Sequence, residues 1–588
     1  MSERDPTCIG RVRHVLGSSV TVALDADLAG VAPIYRGRLQ SIGQIGSLVR
    51  FPQGLVDLIG SVTLVGIAEL AGALPPVENV QVGERWLKVQ LLGQIDSLGS
   101  FQRGVGGYPG LDDPVHFATP GDLADVFPPP GGDRLRVGQL SSAPEIPVCL
   151  DAAKLVLRHA AVVGSTGAGK TSCVASLLQS IVGADWPDAT IVVIDPHGEY
   201  ARAIGDAGSV RSVLNPDRLL RVPYWALPAE EILVAFIGSP GGATTKKRWA
   251  ELVADARVAF VNEAKWLDLD PIAVTADTPV PFDVRQVWYQ LDYENRETRE
   301  KVGDAGTVCE EDPGSAADLK PARFTHYGPG GAPPNKAGTF DNHGRVPELL
   351  RLALGDPDFQ FFQQPLADPH GDDPLERAML EWIGEGNPIS VLDFSGVPTR
   401  VADLAIGVVL DLLFELALRT DEDGPGIGRP RPVLFVLEEA HRYLGEGANS
   451  LTDRAASRIA REGRKYGVGL LMVTQRPSEL PDTALAQCGT LIALRLTNGT
   501  DQGRIRSALP DNVSGLADIL PSLRTGEAVI SGEAVVLPVR TMIDLPSPLP
   551  KAEDPGLQSW REKSGAPDLA PALARWRGLY DTGKEASG

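Results

Sequence analysis

Cysteines are few, long apolar runs are missing and basic charge is in deficit, and each shortage removes a class of protein. Cys8, Cys149, Cys173, Cys309 and Cys488 are scattered singly. Without a CxxC pair, neither a disulfide framework nor a structural zinc site is signalled, and the usage fits a reducing cytoplasm. No uninterrupted apolar run approaches the ~20 residues needed to cross a bilayer. Even Val401 to Arg419 carries Asp403, Asp411 and Glu415, which makes it an amphipathic helix. The opening MSERDPTCIG lacks the basic-then-apolar pattern of a secretory leader. A cytoplasmic protein with no membrane partner is expected. Lys and Arg number 55 against 76 Asp and Glu, and the net charge of -21 excludes a protein that coats nucleic acid with its whole surface. A local basic channel stays open. No internal repeat is visible.

What is present suits a large globular protein. At 588 residues the chain has room for about three to five folding units, and 43% hydrophobic with 22% charged residues excludes wholesale disorder. Short β-rich runs such as RVRHVLGSSVTVAL, GSLVRF, SVTLVGIAEL and RWLKVQLLGQI, broken by Gly, Pro and Asp, predict a small β-barrel over residues 1–100. Residues 101–150, with YPGLDD, ATPGD and FPPPGGD, read as a connector.

From there apolar, β-branched runs alternate with helical stretches: LRHAAVVG, TIVVID, ISVLDFS, VLFVLEE, VGLLMVTQ and TLIALRL. Such continuous apolar strands are those buried on both faces, in an α/β core with a mostly parallel sheet. This core is expected over 151–220 and 388–545. Residues 221–387 read as a helical insertion with a mobile Gly/Pro-rich segment, Asp304 to His343, and 546–588 as a C-terminal tail. EAVISGEAVVLPVRT reads as a hairpin turning near Ser531-Gly532.

The strongest motif is Gly164-Ser165-Thr166-Gly167-Ala168-Gly169-Lys170-Thr171, followed by Ser172. It fits GxxxxGK[ST] and lies where phosphate binding requires, after an apolar strand and before a helix. The glycines let backbone N–H groups and the helix N-terminus face a polyphosphate; Lys170 reaches the β- and γ-phosphates and the Thr171 hydroxyl ligates magnesium. ATP and Mg2+ are therefore the expected cofactors.

VLFVLEEAH is an apolar strand ending in two carboxylates, the Walker B position. Glu438 takes the place usually held by the magnesium-associated aspartate, and Glu439 is the candidate for activating the attacking water. Two solvated glutamates at a strand end are the bland alternative. Asp195 is a third carboxylate at a strand C-terminus, where α/β sheets gather their ligands; capping is its rival role. Gln475 closes VGLLMVTQ and is placed to sense the γ-phosphate, with turn formation before Arg476-Pro477 as the alternative.

Between Arg454 and Lys465 lie five basic residues against one acid, Glu462. At ~100° per residue Arg454, Arg458, Arg461 and Lys465 share one stripe, with Arg464 on a neighbouring face. The stripe suits a polyanion, an acidic neighbour or plain solvent. Arg464 or Arg461 could act as an arginine finger toward an adjacent subunit's nucleotide.

Taken together, LRHAAVVGSTGAGKT, IDPHGEY, LEEAHRYL, SRIAREGRKYGVGLLMVTQRPSEL and LRTGEAVISGEA resemble HerA, a hexameric DNA-translocating ATPase family of the HerA/FtsK branch. The resemblance is loose over 9–100, close over 136–220 and 388–545, and generic between. It implies a RecA-like P-loop ATPase core, an N-terminal HAS-barrel-like domain, and a homo-hexamer that threads double-stranded DNA through a central channel. The family's Glu-Glu version of Walker B matches Glu438 and Glu439.

By the same resemblance Asp195 would support hydrolysis, Arg464 would act across the subunit boundary, and Arg158, in an RH pair before the P-loop strand, would lie near the phosphates. A nuclease or NAD-consuming effector would dock through the barrel, for DNA end processing or anti-phage defence. Lys246-Lys247-Arg248 would form a pore loop or an exposed basic turn. A nucleotide-gated scaffold and a conjugation- or secretion-type ATPase are the competing functions.

Overall fold

A computed structural model describes residues 5–26, 28, 34–35, 38–39, 44–67, 84–184, 186–213, 215–302, 306–363, 367–444, 450–509, 514–551, 558–561 and 567–577. In the N-terminal part, strands alternate apolar and polar residues, and one face must leave water. Strands Ser19–Leu24, Cys8–Leu16, Pro114–Phe117, Leu48–Gln53, Val56–Ile67 and Arg85–Ile95 pair in that order, and the last pairs back onto the first to close a barrel. Ile9, Val22, Phe51, Val62, Val89 and Val115 fill its interior.

The stretch read as a connector contributes strands to both bodies. Pro114–Phe117 completes the barrel, and the hairpin Arg134–Leu140 with Ala143–Asp151 extends the main sheet. Its apolar runs are short and set among turn formers, so periodicity alone gives them little weight.

Among the described residues the main sheet has eleven strands. Thr490–Leu494, Ala160–Val163, Val468–Thr474, Val433–Leu437, Thr190–Asp195, Ile389–Asp393 and Gly208–Ser212 run parallel in that order. The strands Glu527–Gly532, Val539–Ile543 and the hairpin 134–151 continue it antiparallel at one edge. Apart from the edge strand Gly208–Ser212, the parallel strands are buried along nearly their whole length, as their unbroken apolar sequences require. Their C-terminal ends line one edge, and the phosphate motif follows one of them.

The hairpin does not turn at Ser531-Gly532. Gly532 still pairs with Thr490, and the reversal falls in 533–538. The carbonyls of Gly532, Val535 and Val536 accept hydrogen bonds from Arg103 of the barrel side, which ties the barrel to the main sheet.

Helices of the 221–387 region, among them Ala229–Ile237, Ala243–Glu263 and Val284–Arg296, do not stand apart from the main sheet. Trp249, Trp288, Trp382, Phe236 and Phe362 share one hydrophobic core with Val192, Phe435 and Leu470 of the parallel sheet. Arg257 is fully buried there and donates to the carbonyls of Trp225, Leu227 and Ala276. Of the Gly/Pro-rich segment Asp304 to His343, residues 304–305 lie outside the described residues, and 306–343 carry the pairs Glu310–Asp312 with Arg323–Phe324 and Thr298–Arg299 with Asn335–Lys336.

Lys246-Lys247-Arg248 is not a loop. It lies in the first turns of helix Ala243–Glu263, where Lys246 pairs with Glu230 and Arg248 grips both oxygens of Glu294. Among the described residues no helix is long and apolar enough to cross a membrane, and Thr399–Arg419 packs both ends of its apolar surface into the core.

Candidate functional site

Strand Ala160–Val163 runs into the loop 164–169 and then helix Lys170–Gly183. Gly167 and Gly169 have φ of 73° and 100°, a left-handed backbone that side chains disfavour, and a Cβ on Gly169 would press on the backbone of Gly526. Ala168 O accepts from Gly526 N at 3.0 Å, and Ser165 N donates to Arg495 O at 2.8 Å, so neighbouring loops hold the cradle from outside. Ser165 and Thr166 turn their hydroxyls sideways, to Thr497 at 3.2 Å and to Gln475 Oε1 at 2.7 Å. Ser172 lies in the first helical turn.

Lys170 is largely enclosed. Burial pulls its ammonium below the ordinary lysine value, opposed by the nearby charges of Glu439, Glu438 and Glu199. A cation held near three carboxylates inside a glycine cradle is suited to bind a polyphosphate.

The two acids of Val433–Leu437 part ways. Glu438 is buried, and burial pushes its carboxyl up to about 8, with Glu439 and Asp195 adding repulsion, while its hydrogen bond from the Tyr200 hydroxyl works the other way. Glu439, two residues past the strand, has φ of 51°, an uncommon conformation for a residue with a side chain, before the turn Ala440–Arg442. Its Oε1 is 3.9 Å from His197 Nε2 and its Oε2 is 3.3 Å from His441 Nδ1. That His441 nitrogen already shares a hydrogen bond with Thr474 Oγ1 at 3.1 Å, and Glu439 Oε2 is buried without any hydrogen-bond partner. Such an orphan costs about 1–3 kcal/mol, and a water molecule in front of it would relieve that cost.

Asp195 is buried and spends both oxygens on its own turn: Oδ1 accepts from His197 N at 3.2 Å and Gly198 N at 2.9 Å, and Oδ2 from Tyr200 N at 3.0 Å. Burial raises its carboxyl, against those backbone bonds. The structure thus places Asp195 as the keystone of the DPHGEY turn.

Two residues of that turn were passed over in the sequence. Glu199 Oε2 accepts from Thr171 Oγ1 at 2.9 Å, and Tyr200 donates to Glu438. Their signal was position: both follow a strand C-terminus adjacent to the strand carrying Glu438.

The arginines do not join this cluster within one chain. Arg158 sits at the N-terminal end of the P-loop strand, opposite the cradle, and pairs with Glu533 at 3.0 Å. Strand lengths explain the distance, since the seven residues Val468–Thr474 at ~3.3 Å each put about 23 Å between Gln475 and the strand start, beyond which lies the turn that carries Arg464. Helix Leu451–Glu462 ends before Arg464, and Gly463–Tyr466 form a tighter 3-10 turn, which takes Lys465 off the expected stripe. Arg454 and Arg458 of that stripe meet acidic neighbours, Glu231 at 2.6 Å and the carboxylates of Glu415 and Asp411. Arg461, Arg464 and Lys465 are exposed.

A P-loop between parallel strands, with a paired-acid strand two places away in the sheet, defines a P-loop ATPase. Models of the HerA helicase central domain and of the HerA-like C-terminal domain match residues 135–317 and 381–539. Together they span more than half of the sequence, and the chain belongs to the HerA family.

A probable helicase of Methanocaldococcus jannaschii is 27% identical over 488 residues, 81% of this chain and 83% of its own. The DNA double-strand break repair helicase HerA of Pyrococcus furiosus is 26% identical over 441 residues, 70% of each chain. Among solved structures, VirB4 of Thermoanaerobacter pseudethanolicus aligns with a TM-score of 0.43 at 14% identity, covering 71% of this chain and 97% of that one. The plasmid coupling protein TrwB in complex with a non-hydrolysable ATP analogue aligns at 0.43 and 13%, covering 73% and 92%.

Proposed function

We propose that this chain is an ATP-hydrolysing motor that translocates double-stranded DNA as a ring of six identical subunits. The observation that carries the reading is the buried Oε2 of Glu439, which has no hydrogen-bond partner, lies 3.3 Å from His441 Nδ1 and stands beside the lysine-bearing cradle. An acid so placed takes a proton from an attacking water, while Lys170 neutralises phosphate charge and the Gln475 amide orients the terminal phosphate. Magnesium, held by Thr171 and Glu438, would neutralise charge on the β- and γ-phosphates. Arg461 and Arg464 lie exposed at the sheet edge opposite the cradle, and the reading assigns them to the nucleotide of a neighbouring subunit. The names of the relatives, helicases of DNA double-strand break repair, support DNA as the substrate.

The barrel is the proposed dock for a nuclease or other effector. Its hairpin turns at 16–18, 54–55 and 96–100 fall at the same barrel end, because the strands they join run antiparallel to their neighbours. There Leu16, Leu55 and Leu98 are 71%, 82% and 90% exposed. Large apolar side chains gathered at one end suit a protein partner.

The test is the ATPase rate of the purified protein with and without duplex DNA, alone and with the product of the adjacent gene, next to a sedimentation measurement of ring size. Stimulation by duplex ends or lengths supports the motor. A rate indifferent to DNA in every mixture would favour a ring that activates its partner through nucleotide binding alone.

A further inference from the structure

Thr171 has one hydroxyl proton and two lone pairs to dispose of. The proton goes to Glu199 Oε2, 2.9 Å away, across the gap between helix Lys170–Gly183 and the turn after Thr190–Asp195. The backbone of the turn that carries this acceptor is held from several sides. Asp195 gathers the N–H groups of His197, Gly198 and Tyr200 beneath the turn, and Gly198 bends it with φ of 69°. A Cβ there would meet Ser395 Oγ at 3.1 Å and Asp393 Oδ1 at 3.3 Å, so the turn also packs against its neighbour strand's end. From outside, Lys551 N donates to the Glu199 carbonyl at 2.8 Å. That contact belongs to a C-terminal strap in which Gln179 binds Ser547 and Pro548 and Arg202 binds Leu549 and Pro550. Glu438, by contrast, is already engaged by Tyr200 on its buried side.

We propose that Glu199 is a positioning residue for the metal that accompanies the nucleotide: by taking the Thr171 proton it turns the hydroxyl's lone pairs toward the phosphate cradle, where a divalent cation arrives. This deepens the proposed ATPase function and rests on it. A hydroxyl that donates to a fixed carboxylate is a better and better-oriented oxygen ligand than one free to rotate, and losing such a supporting partner costs about 10- to 100-fold in metal affinity in characterised sites. Two carboxylates then divide the work at the cradle, Glu199 setting the ligand and Glu439 facing the water.

The experiment measures affinity and needs no turnover. Binding of a fluorescent ATP analogue to the full chain is followed in EDTA and across a magnesium titration, and Mn2+ binding to the protein–nucleotide complex is read by electron paramagnetic resonance. Glu199→Ala should leave binding in EDTA within about twofold of the parent and raise the magnesium and Mn2+ concentrations for half-saturation about tenfold or more. Glu199→Gln, which keeps an acceptor oxygen, should recover part of that shift. In a Thr171→Val background Glu199→Ala should add nothing.

An unchanged metal dependence in Glu199→Ala, or an equal loss with and without metal, overturns the assignment. If Glu199→Ala does not fold, Glu199→Leu, which also removes the acceptor, carries the test, and a metal dependence equal to the parent's in that variant overturns it as well. Failure of the parent chain to bind nucleotide at all would remove the ATPase reading itself, a result distinct from normal nucleotide binding with unaltered metal dependence in the variants.

Discussion

Tyr200 donates its phenolic hydrogen to the carboxylate of Glu438, joining the turn after one parallel strand to the end of the next. Both groups are buried, and burial drives the Tyr200 hydroxyl well above its ordinary value, so the proton stays on tyrosine. Tyr200→Phe should destabilise the fold by about 1–3 kcal/mol, because a buried carboxyl loses its partner. Urea denaturation checks it. Combining Tyr200→Phe with Glu438→Gln should cost less than the sum of the single changes, since both act on one contact.

Lys170→Ala should abolish nucleotide binding measured by fluorescence or calorimetry. Glu439→Gln should bind ATP with near-parental affinity and lose at least about 10²-fold in hydrolysis, the scale of a removed general base. Normal turnover in Glu439→Gln would strip that residue of its role and return the orphaned Oε2 to a purely structural account.

Arg464→Ala should retain nucleotide affinity and lose hydrolysis, by about 10³-fold if the guanidinium acts as a finger in trans. Mixed with Lys170→Ala subunits under conditions where rings exchange protomers, it should recover part of the lost rate, because each variant supplies what the other lacks. Absence of recovery would place the arginine's effect within its own subunit or in assembly.

Glu527 offers a stability test away from the nucleotide. Its carboxylate is fully buried; burial raises its pKa, but hydrogen bonds from Arg540, at 2.7 and 3.0 Å, and from Arg524 outweigh that and bring it to about 2 from an ordinary 4.5. A group depressed on folding contributes stability above its unfolded value, and the contribution disappears as pH falls from about 4.5 toward 2. Roughly 3 kcal/mol is at stake at neutral pH. Glu527→Gln should lower the melting temperature at pH 7, with the gap to the parent narrowing toward pH 3.

The chemistry-bearing motifs of the motor were legible because each joins a local pattern to a local cause. Gly164 to Thr171 needs only a strand before it and a helix after it, and Val433 to Glu439 needs only a continuous apolar run that ends at two acids. The connector was misread for the opposite reason: PVHF and RLRVGQL carry little periodicity, and what makes them strands is pairing with Cys8–Leu16 and Val539–Ile543, far away in sequence. Arg464 looked helical because a 3.6-residue period was carried past Gly463, where the chain tightens into a 3-10 turn.

Sequence alone therefore determined which chemical groups the protein owns and the strand ends on which they sit, since strand-to-loop transitions are written in neighbouring residues. Only the tertiary structure decided who faces whom. Glu199 against Thr171, Tyr200 against Glu438, and Arg158 and Arg464 on the edge opposite the cradle all follow from the order of parallel strands, and that order is settled by packing among segments hundreds of residues apart, on which no local pattern reports.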